Sequence, residues 1–407
     1  MNKKSFAYKA LFLEGLHAQA KPALEESRCI VEEIPLALDA KALIQKLKGI
    51  SILGSRSRTH VTEEVLNQAD DLLCIGAFCI GVNQIDLKTA LEKGVVVFNA
   101  PYSNTRSVAE LIISFIISLS RNRFDLSQAS IHKGQWNKTA QGAFEVREKT
   151  LGIIGYGHIG SQVSVLAESL GMKIIYYDLL KKLPIGNAKP TSDMKSLLKQ
   201  ADFVTLHVPE TSQTKNLISK KELQLMKKGS RLINTSRGTV VSISDLKQAL
   251  DSGHLAGAAL DVFPKEPSHK EESFESPLQN SKKVILTPHI GGSTEEAQKS
   301  IAQEVSDHLK NFILYGSTEN SVNFPKLQLP PIPENSKRIS NVHRNQPGVL
   351  SEINKIVSQM GVNITHQYLS THESIGYLVM DVETKDHESL CQKMLELKTS
   401  LKTRIIY

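Results

Sequence analysis

The stretch Leu151–Gly160, LGIIGYGHIG, joins an apolar run to three glycines with the spacing GxGxxG. The apolar run predicts a buried strand, and the glycines predict a tight turn into a helix. In a dinucleotide site Gly155 would permit the turn, Gly157 would let the backbone approach a pyrophosphate, and Gly160 would let the helix pack on the strand. The helix N-terminus would add free N–H groups and a dipole that favours phosphate.

A second apolar run, Lys173–Tyr177, ends at Asp178. A carboxylate at this point of a βαβ unit binds ribose hydroxyls and repels a 2′-phosphate, which favours NAD over NADP. Lys181 and Lys182 follow closely and leave NADP open. The alternative interpretation of the motif is a glycine-rich turn with a purely structural role.

The later apolar runs also end in polar or charged side chains. Ligands of such folds bind at the carboxyl ends of the strands, so we expect these side chains to meet at one edge of a sheet. The residues at or just beyond these ends are His207, Val208, Pro209, Arg237, Asp261, Glu266 and His289.

Three of these residues have the chemistry that oxidation of a 2-hydroxy acid requires. A guanidinium such as Arg237 can clamp a carboxylate. An imidazole such as His289 can take the hydroxyl proton near neutral pH. A carboxylate such as Glu266 can orient the imidazole and stabilise its charged form. Singly, they could also be a surface ion-pair partner, a structural loop residue and a solvated charge.

The rest of the chain divides into further blocks. Before residue 100, strand-like and helix-like patterns alternate, which predicts a parallel sheet covered by helices. A capping box of Ser107 and Glu110 predicts the start of a long helix. Four prolines between 325 and 333 predict an extended linker. The last seventy residues or so follow the order βαββαβ of a ferredoxin-like module.

Composition limits the class of protein. The 407 residues, 40% hydrophobic and 22% charged, exclude a disordered chain and a disulfide scaffold. The most apolar stretch, Val108–Leu119, is too short to span a membrane. Four cysteines without a CxxC pair, and the absence of a secretion signal, predict a cytoplasmic location. The net charge of +7 comes from scattered residues, which disfavours nucleic acid and leaves dispersed surface charge or an anionic substrate.

Four motifs, LGIIGYGHIG, INTSRG, ALDVFPKEP and LTPHIGGST, resemble those of the D-isomer-specific 2-hydroxyacid dehydrogenases. The resemblance extends over about residues 10 to 407, and the C-terminal part resembles an ACT domain. It implies an α/β chain with a Rossmann-type NAD-binding domain, a flavodoxin-like discontinuous substrate domain and a ferredoxin-like (ACT) α+β domain. The implied bounds are 1–104 with 293–324 for the substrate domain, 105–292 for the NAD-binding domain, 325–336 for the linker and 337–407 for the ACT domain.

The resemblance also implies roles for single residues. Arg237 matches the substrate-binding arginine, His289 the acid–base residue, and Glu266 its partner, with NAD as cofactor and no metal. Positions matching the family's cofactor contacts are His158, Ile159, Asp178, Thr235, Ser236, Asp261, and the turn from His289 through Gly291 to Gly292.

The resemblance to family members that carry an ACT domain implies 3-phosphoglycerate as the substrate, with 2-oxoglutarate reduction as a further activity. Arg56 matches a substrate contact, Arg58 offers a second cation, and Lys138 matches a lysine that reaches across from a neighbouring subunit of a homotetramer. One departure is that residues 32–35 lack a basic residue common in the family. The alternatives are a dehydrogenase for another D-2-hydroxy acid, such as 2-hydroxyglutarate, and an NAD-sensing binding protein without turnover; for Arg56 and Arg58 the alternative is surface charge.

In the ACT-like part, His343, Asn345 and Asn363 match positions that contact serine where two ACT copies meet. The resemblance therefore implies feedback inhibition by serine. Residues 334–336, Glu-Asn-Ser, stand where the family often has a Gly-Gly hinge. The alternative for the three matching residues is an ordinary place in turns and at helix ends.

Overall fold

The computed structural model describes residues 8–121, 124–136, 138–267 and 272–406. The chain forms two compact units, one made of the segments before Asn104 and after Ala297, the other of Asn104–Ala297. Residues 1–7 and 407, which the predicted domain bounds include, lie outside the described residues.

The N-terminal segment folds into five parallel strands with helices between them. The strands are β1 (Tyr8–Leu13), β2 (Cys29–Ile34), β3 (Ile52–Ser55), β4 (Cys74–Ala77) and β5 (Val96–Phe98). The helices are α1 (Ala20–Glu25), α2 (Ala40–Lys46), α3 (Glu63–Asn67) and α4 (Leu87–Glu92). The strand order β2-β1-β3-β4-β5 is that of flavodoxin-like folds and confirms the predicted class.

The second unit contains seven parallel strands in the order β12-β11-β10-β9-β6-β7-β8. Its strands are β6 (Thr150–Ile154), β7 (Lys173–Tyr177), β8 (Lys189–Pro190), β9 (Phe203–Leu206), β10 (Arg231–Asn234), β11 (Gly257–Leu260) and β12 (Val284–Leu286). Its helices are α5 (Thr105–Ser120), α6 (Phe124–His132), α7 (His158–Ser169), α8 (Met194–Gln200), α9 (Lys220–Leu225) and α10 (Ile243–Asp251). The first six strands have the doubly wound Rossmann order, as predicted.

The chain then returns to the first unit through α11 (Glu295–Tyr315). Phe312 of this helix lies in one apolar cluster with Phe12 of β1 and Phe98 of β5. The helix therefore completes the core that the N-terminal strands begin, as a discontinuous domain requires.

The C-terminal part is an antiparallel four-stranded sheet with two helices, after a stretch without regular structure from 325 to 336. Its elements are β13 (Lys337–Arg344), α12 (Val349–Gln359), β14 (Asn363–Thr371), β15 (Ile375–Glu383), α13 (His387–Leu395) and β16 (Ser400–Ile406). The order β14-β15-β13-β16 is ferredoxin-like, which confirms the predicted module.

One local prediction is wrong. The capping box does not exist, because α5 begins at Thr105 and Ser107 lies inside the helix, where its hydroxyl donates to the Gly291 carbonyl at 2.6 Å. Glu32, Glu33 and Ile34, in the region that lacks the basic residue, belong to β2. None of the helices in the described ranges is both long enough and apolar enough for a bilayer crossing.

Candidate active site

The glycine loop between β6 and α7 has the close contacts that the motif predicts. Gly155 has φ +92°, and a Cβ there would lie 2.2 Å from the His207 carbonyl oxygen. A Cβ on Gly160 would lie 2.2 Å from the Gly155 carbonyl oxygen. A Cβ on Gly157 would meet no atom within 4 Å, so the loop is open on that side. This open backbone at the start of a twelve-residue helix fits a pyrophosphate.

Asp178, the residue directly after β7, holds the glycine loop in place. Its Oδ2 accepts from the Tyr156 N–H at 2.8 Å, and its Oδ1 accepts from the Leu180 N–H at 2.8 Å. The carboxylate is half-buried and retains lone pairs that ribose hydroxyls could use. His158 is exposed and Ile159 is half-buried in the first turn of α7.

The ends of β9 and β10 add neutral polar groups. The Nε2 of His207 lies 3.0 Å from the Thr205 hydroxyl, and burial lowers the pKa of His207 to about 3, so the ring is neutral. Val208 is half-buried and Pro209 is exposed beside it. After β10, the Ser236 hydroxyl donates to the Asn234 side chain at 2.8 Å.

The hydroxyl of Thr235 is buried and has no hydrogen-bond partner among the described residues. A buried hydroxyl without a partner is costly, and such groups in native structures call for an explanation. A ligand that donates to or accepts from this oxygen would remove the cost. This atom therefore fits the predicted cofactor role of Thr235.

Asp261, after β11, is buried and organises the turn that carries His289. Its Oδ1 accepts from the Thr287 hydroxyl at 2.6 Å and the Ile290 N–H at 2.8 Å. Its Oδ2 accepts from the Gly291 N–H at 2.8 Å. Burial raises the pKa of Asp261, and these hydrogen bonds oppose the rise. Its contacts in this chain are thus with the turn.

His289 and Glu266 form a hydrogen-bonded pair, with 2.7 Å between His289 Nδ1 and Glu266 Oε2. The other carboxylate oxygen of Glu266 accepts from the Phe263 N–H at 3.0 Å. The bond to Glu266 raises the pKa of His289, although burial opposes the rise. Burial alone would raise the pKa of Glu266, but the bond from His289 and its charge bring it below the usual value.

The pairing at Nδ1 determines which imidazole atom can react. With Nδ1–H donated to the carboxylate, Nε2 is the atom left for a substrate proton. The His289 side chain is 52% exposed, so this atom can be reached from outside. His289 has φ +54°, a left-handed conformation that is rare without glycine or asparagine.

Arg237 lies in the same electrostatic neighbourhood. Its charge lowers the pKa of both Glu266 and His289. Its Nη1 donates to the Ser236 carbonyl at 2.7 Å, and its own carbonyl accepts from Asn234 at 2.9 Å. The second unit therefore brings Arg237, Glu266 and His289 together. They lie at the carboxyl-end edge of the same sheet that carries the glycine loop.

The candidate substrate cations have different surroundings. Arg56 follows β3 in the first unit, and its guanidinium has no hydrogen-bond or ion-pair partner among the described residues. Arg58 instead places its Nε 3.5 Å from the buried carboxylate of Glu14. Lys138 is exposed in the second unit. Sequence patterns alone do not single out Glu14, because a lone Glu-Gly pair after a strand is a common turn signal.

The three ACT residues do not form one cluster within a chain. His343 is buried and lies opposite Gly376 at the start of β15, whereas Asn363 lies opposite Glu383 at its end. At ~3.3 Å per residue these two points are roughly 23 Å apart along the strand. His343 Nδ1 lies 3.0 Å from the Asn341 side-chain oxygen, and Asn345 donates to the His372 carbonyl at 3.1 Å.

Comparison with known proteins gives consistent results along the chain. Residues 113–291 match the family model for the D-isomer specific 2-hydroxyacid dehydrogenase NAD binding domain, and residues 339–402 match that for the AHAS small subunit-like ACT domain. The chain is 51% identical to a D-3-phosphoglycerate dehydrogenase of Dictyostelium discoideum and 48% identical to one of Escherichia coli K12. Each match covers 98% of this chain and 97% of the relative.

Among solved structures, the D-lactate dehydrogenase of Aquifex aeolicus, complexed with NAD and lactic acid, is similar with a TM-score of 0.68 and 28% identity. That match covers 78% of this chain and 100% of the other.

Proposed function

Because the chain belongs to the D-3-phosphoglycerate dehydrogenases, within the D-isomer-specific 2-hydroxyacid dehydrogenase family, we propose that it oxidises D-3-phosphoglycerate to 3-phosphohydroxypyruvate with NAD. This is the first step of serine biosynthesis. The single observation that carries the chemistry is the His289–Glu266 pair with Arg237 beside it. An acid–base group, its orienting carboxylate and a carboxylate clamp are the side chains that this oxidation needs.

Each of the three side chains has its own role in the reaction. Arg237 holds the substrate carboxylate through its guanidinium. His289 takes the proton of the C2 hydroxyl at Nε2, while Glu266 holds Nδ1–H and stabilises the imidazolium that forms. The hydrogen on C2 leaves as hydride, so the alcohol loses one proton and one hydride and becomes a ketone. NAD, when bound, supplies the hydride acceptor.

NAD would be held by the elements that fit it. The backbone at Gly155, Gly157 and the first turn of α7 would bind the pyrophosphate, and Asp178 would bind ribose hydroxyls. The neutral ring of His207 and the free hydroxyl of Thr235 would face uncharged parts of the ligand. The carboxylate of Asp178 disfavours the 2′-phosphate of NADP, so NAD is the cofactor we assign.

For the phosphate end of the substrate we assign Arg56, because its guanidinium has no hydrogen-bond or ion-pair partner in the part of the chain that the structure describes. Lys138, which is exposed, would act on a neighbouring copy in a homotetramer. The four cysteines are free thiols, which supports a reducing, cytoplasmic compartment.

The test is formation of NADH from D-3-phosphoglycerate, with D-2-hydroxyglutarate as the comparison substrate. We expect a higher kcat/KM for D-3-phosphoglycerate. A higher kcat/KM for D-2-hydroxyglutarate would make another hydroxy acid the substrate. This comparison is included because residues 32–35 lack the basic residue common in the family. Binding of NAD without turnover on either substrate would instead indicate a sensor.

We further propose that serine binds where two ACT domains meet and inhibits the enzyme. The register supports a site of two chains, since His343 and Asn345 lie at one end of the sheet and Asn363 at the other. Serine titration of activity tests this. Asn363→Ala should weaken inhibition without changing uninhibited turnover, and unchanged inhibition in this variant would remove Asn363 from the site.

A further inference from the structure

Glu14 is an unusual residue at the carboxyl end of β1. Its side chain is fully buried, with 0% exposure, in a domain where most carboxylates face solvent. Its backbone has φ +65°, the left-handed conformation that L side chains rarely adopt. A buried charge and a strained backbone both oppose folding, and such residues concentrate at functional sites.

The carboxylate of Glu14 is committed to one loop. Its Oε1 accepts from the Thr59 N–H at 2.8 Å, and its Oε2 accepts from the Arg58 N–H at 3.1 Å and faces the Arg58 Nε at 3.5 Å. Two strand ends that are distant in sequence are therefore joined through one side chain. The segment that Glu14 binds, residues 55–59, contains the candidate phosphate ligand Arg56.

The backbone N–H of Glu14 forms hydrogen bonds at the end of β2. Its N–H donates to the carbonyls of Ile34 at 3.0 Å and Leu36 at 3.3 Å. On the far side, the side-chain amide of Gln84 donates to the Arg56 carbonyl at 2.9 Å. The loop after β3 is thus held at Arg58 and Thr59 by Glu14 and at Arg56 by Gln84. The Arg56 guanidinium has no partner among the described residues.

The same contacts separate the roles of the two arginines. Arg58 has the Glu14 carboxylate 3.5 Å from its Nε, so part of its charge is compensated within this chain although the side chain is 40% exposed. Arg56 has none among the described residues, so its charge is available to an anion. The buried hydroxyls of Ser55, the last residue of β3, and Thr59 have no hydrogen-bond partner among the described residues, so the conformation of this segment is maintained although these groups are unsatisfied.

We propose that Glu14 is a positioning residue for substrate binding: it partly compensates the charge of Arg58 and fixes the loop 55–59 so that Arg56 alone presents its charge to the substrate phosphate. This inference rests on the proposed function, because it assumes a phosphorylated hydroxy acid. It adds a residue that does not touch the substrate but determines which cation does.

The test is a double-mutant cycle of Glu14→Gln and Arg56→Ala, with KM and kcat measured for D-3-phosphoglycerate. Glu14→Gln keeps the shape but places an NH₂ against donors. It should raise KM about 10-fold to 100-fold, the loss expected for a charge-assisted contact, with kcat and the KM for NAD changed less than about twofold. The double variant should be no worse than Arg56→Ala alone, because both changes remove one interaction.

The matched control is Glu26→Gln, which removes the same charge just after α1, where Glu26 forms an ion pair with Lys310 at 3.0 Å. Its KM should be that of the wild type. Additive effects of Glu14→Gln and Arg56→Ala, or a Glu14 variant with unchanged KM, would overturn the proposal. A wild-type enzyme that does not turn over D-3-phosphoglycerate would instead overturn the proposed function.

A second measurement uses the unaltered protein, in case the Glu14 variant does not fold. Phenylglyoxal modification followed by peptide mass spectrometry reports each arginine separately. We expect Arg56 to react and D-3-phosphoglycerate to protect it, and Arg58 to react slowly whether or not the substrate is present. Substrate protection of Arg58 equal to that of Arg56 would contradict the division of roles.

Discussion

His289 combines a reactive side chain with a left-handed backbone, and this limits which residues can replace it. Asparagine is among the few side chains that accept φ near +54°. His289→Asn should therefore fold and bind NAD, but lose the proton acceptor. We expect kcat to fall on the order of 10²-fold to 10⁴-fold, as measured by NADH formation. A loss of less than tenfold would mean that another group takes the proton.

Glu266→Gln tests the electrostatic role of the pair. The hydrogen bond that His289 donates to Glu266 raises the pKa of His289, and oxidation requires the neutral imidazole, so activity falls as pH drops below that raised pKa. Without the carboxylate, the acidic limb of the kcat/KM profile should move to lower pH, because the pKa of His289 is no longer raised by Glu266. The reverse reduction, which needs the protonated imidazole, should lose activity at neutral pH. A limb that stays in place would assign it to another group.

Individual site residues could be predicted from the sequence where their chemistry is tied to a motif. Arg237, Glu266 and His289 follow strands in a recognisable order, so their convergence could be predicted. Glu14 could not be found in this way. Its importance comes from a left-handed φ and from contacts with a loop more than forty residues away, neither of which leaves a pattern in the sequence.

Among the elements, the β6–α7 turn allows stability and ligand binding to be separated. Gly155→Ala would bring a Cβ within 2.2 Å of a carbonyl oxygen at φ +92°, so it should cost both stability and NAD affinity. Gly157→Ala meets no atom within 4 Å, so it should unfold like the wild type yet bind NAD at least tenfold more weakly. Gly253→Ala, at φ +72° with open space, controls for backbone strain alone.

Thermal unfolding and NAD titration of these three variants provide the measurement. Gly157→Ala with normal NAD affinity would show that the pyrophosphate does not approach this side of the loop. Equal destabilisation of Gly155→Ala and Gly253→Ala would show that the carbonyl contact is relieved by local movement.

Element types were predicted better than element starts. Strands with continuous apolar runs, such as β6 and β9, were evident, but β2 was not, since its CIVEEI sequence places two glutamates at its end. The false capping box has a tertiary cause. Ser107 has the residue type of a helix cap, but its hydroxyl bonds to the Gly291 carbonyl, a partner 184 positions away that a local pattern does not contain.

For the molecule as a whole, a buried ion pair is central to how the ACT domain is attached within its unit. Arg338 and Asp381 have fully buried side chains, joined by two bonds of 2.6 and 2.8 Å. Arg338 Nη1 also donates to the carbonyls of Tyr315, at the end of α11, and Pro330, in the linker. One guanidinium thus connects the ACT sheet, the linker and the return helix.

Asp381→Asn should cost about 3–5 kcal/mol in free energy of unfolding, because it leaves Arg338 buried without a countercharge. Arg338→Met combined with Asp381→Leu should cost less, since both charges leave together. Urea unfolding of the single and double variants compares the two. If the double variant is the less stable, the backbone carbonyls that Arg338 caps, and not the ion pair, dominate the energetics.

The insertion of Asn104–Ala297 into the first unit has a consequence for how the protein is made. The first five strands leave the ribosome early, but α11, which supplies Phe312 to their core, is translated only after the whole inserted unit. At ~5–20 residues per second, that delay is on the order of 10–40 s. For this time a nascent flavodoxin-like sheet has an uncovered apolar face, which makes it a natural client for chaperones, whereas the inserted unit can fold as soon as it emerges.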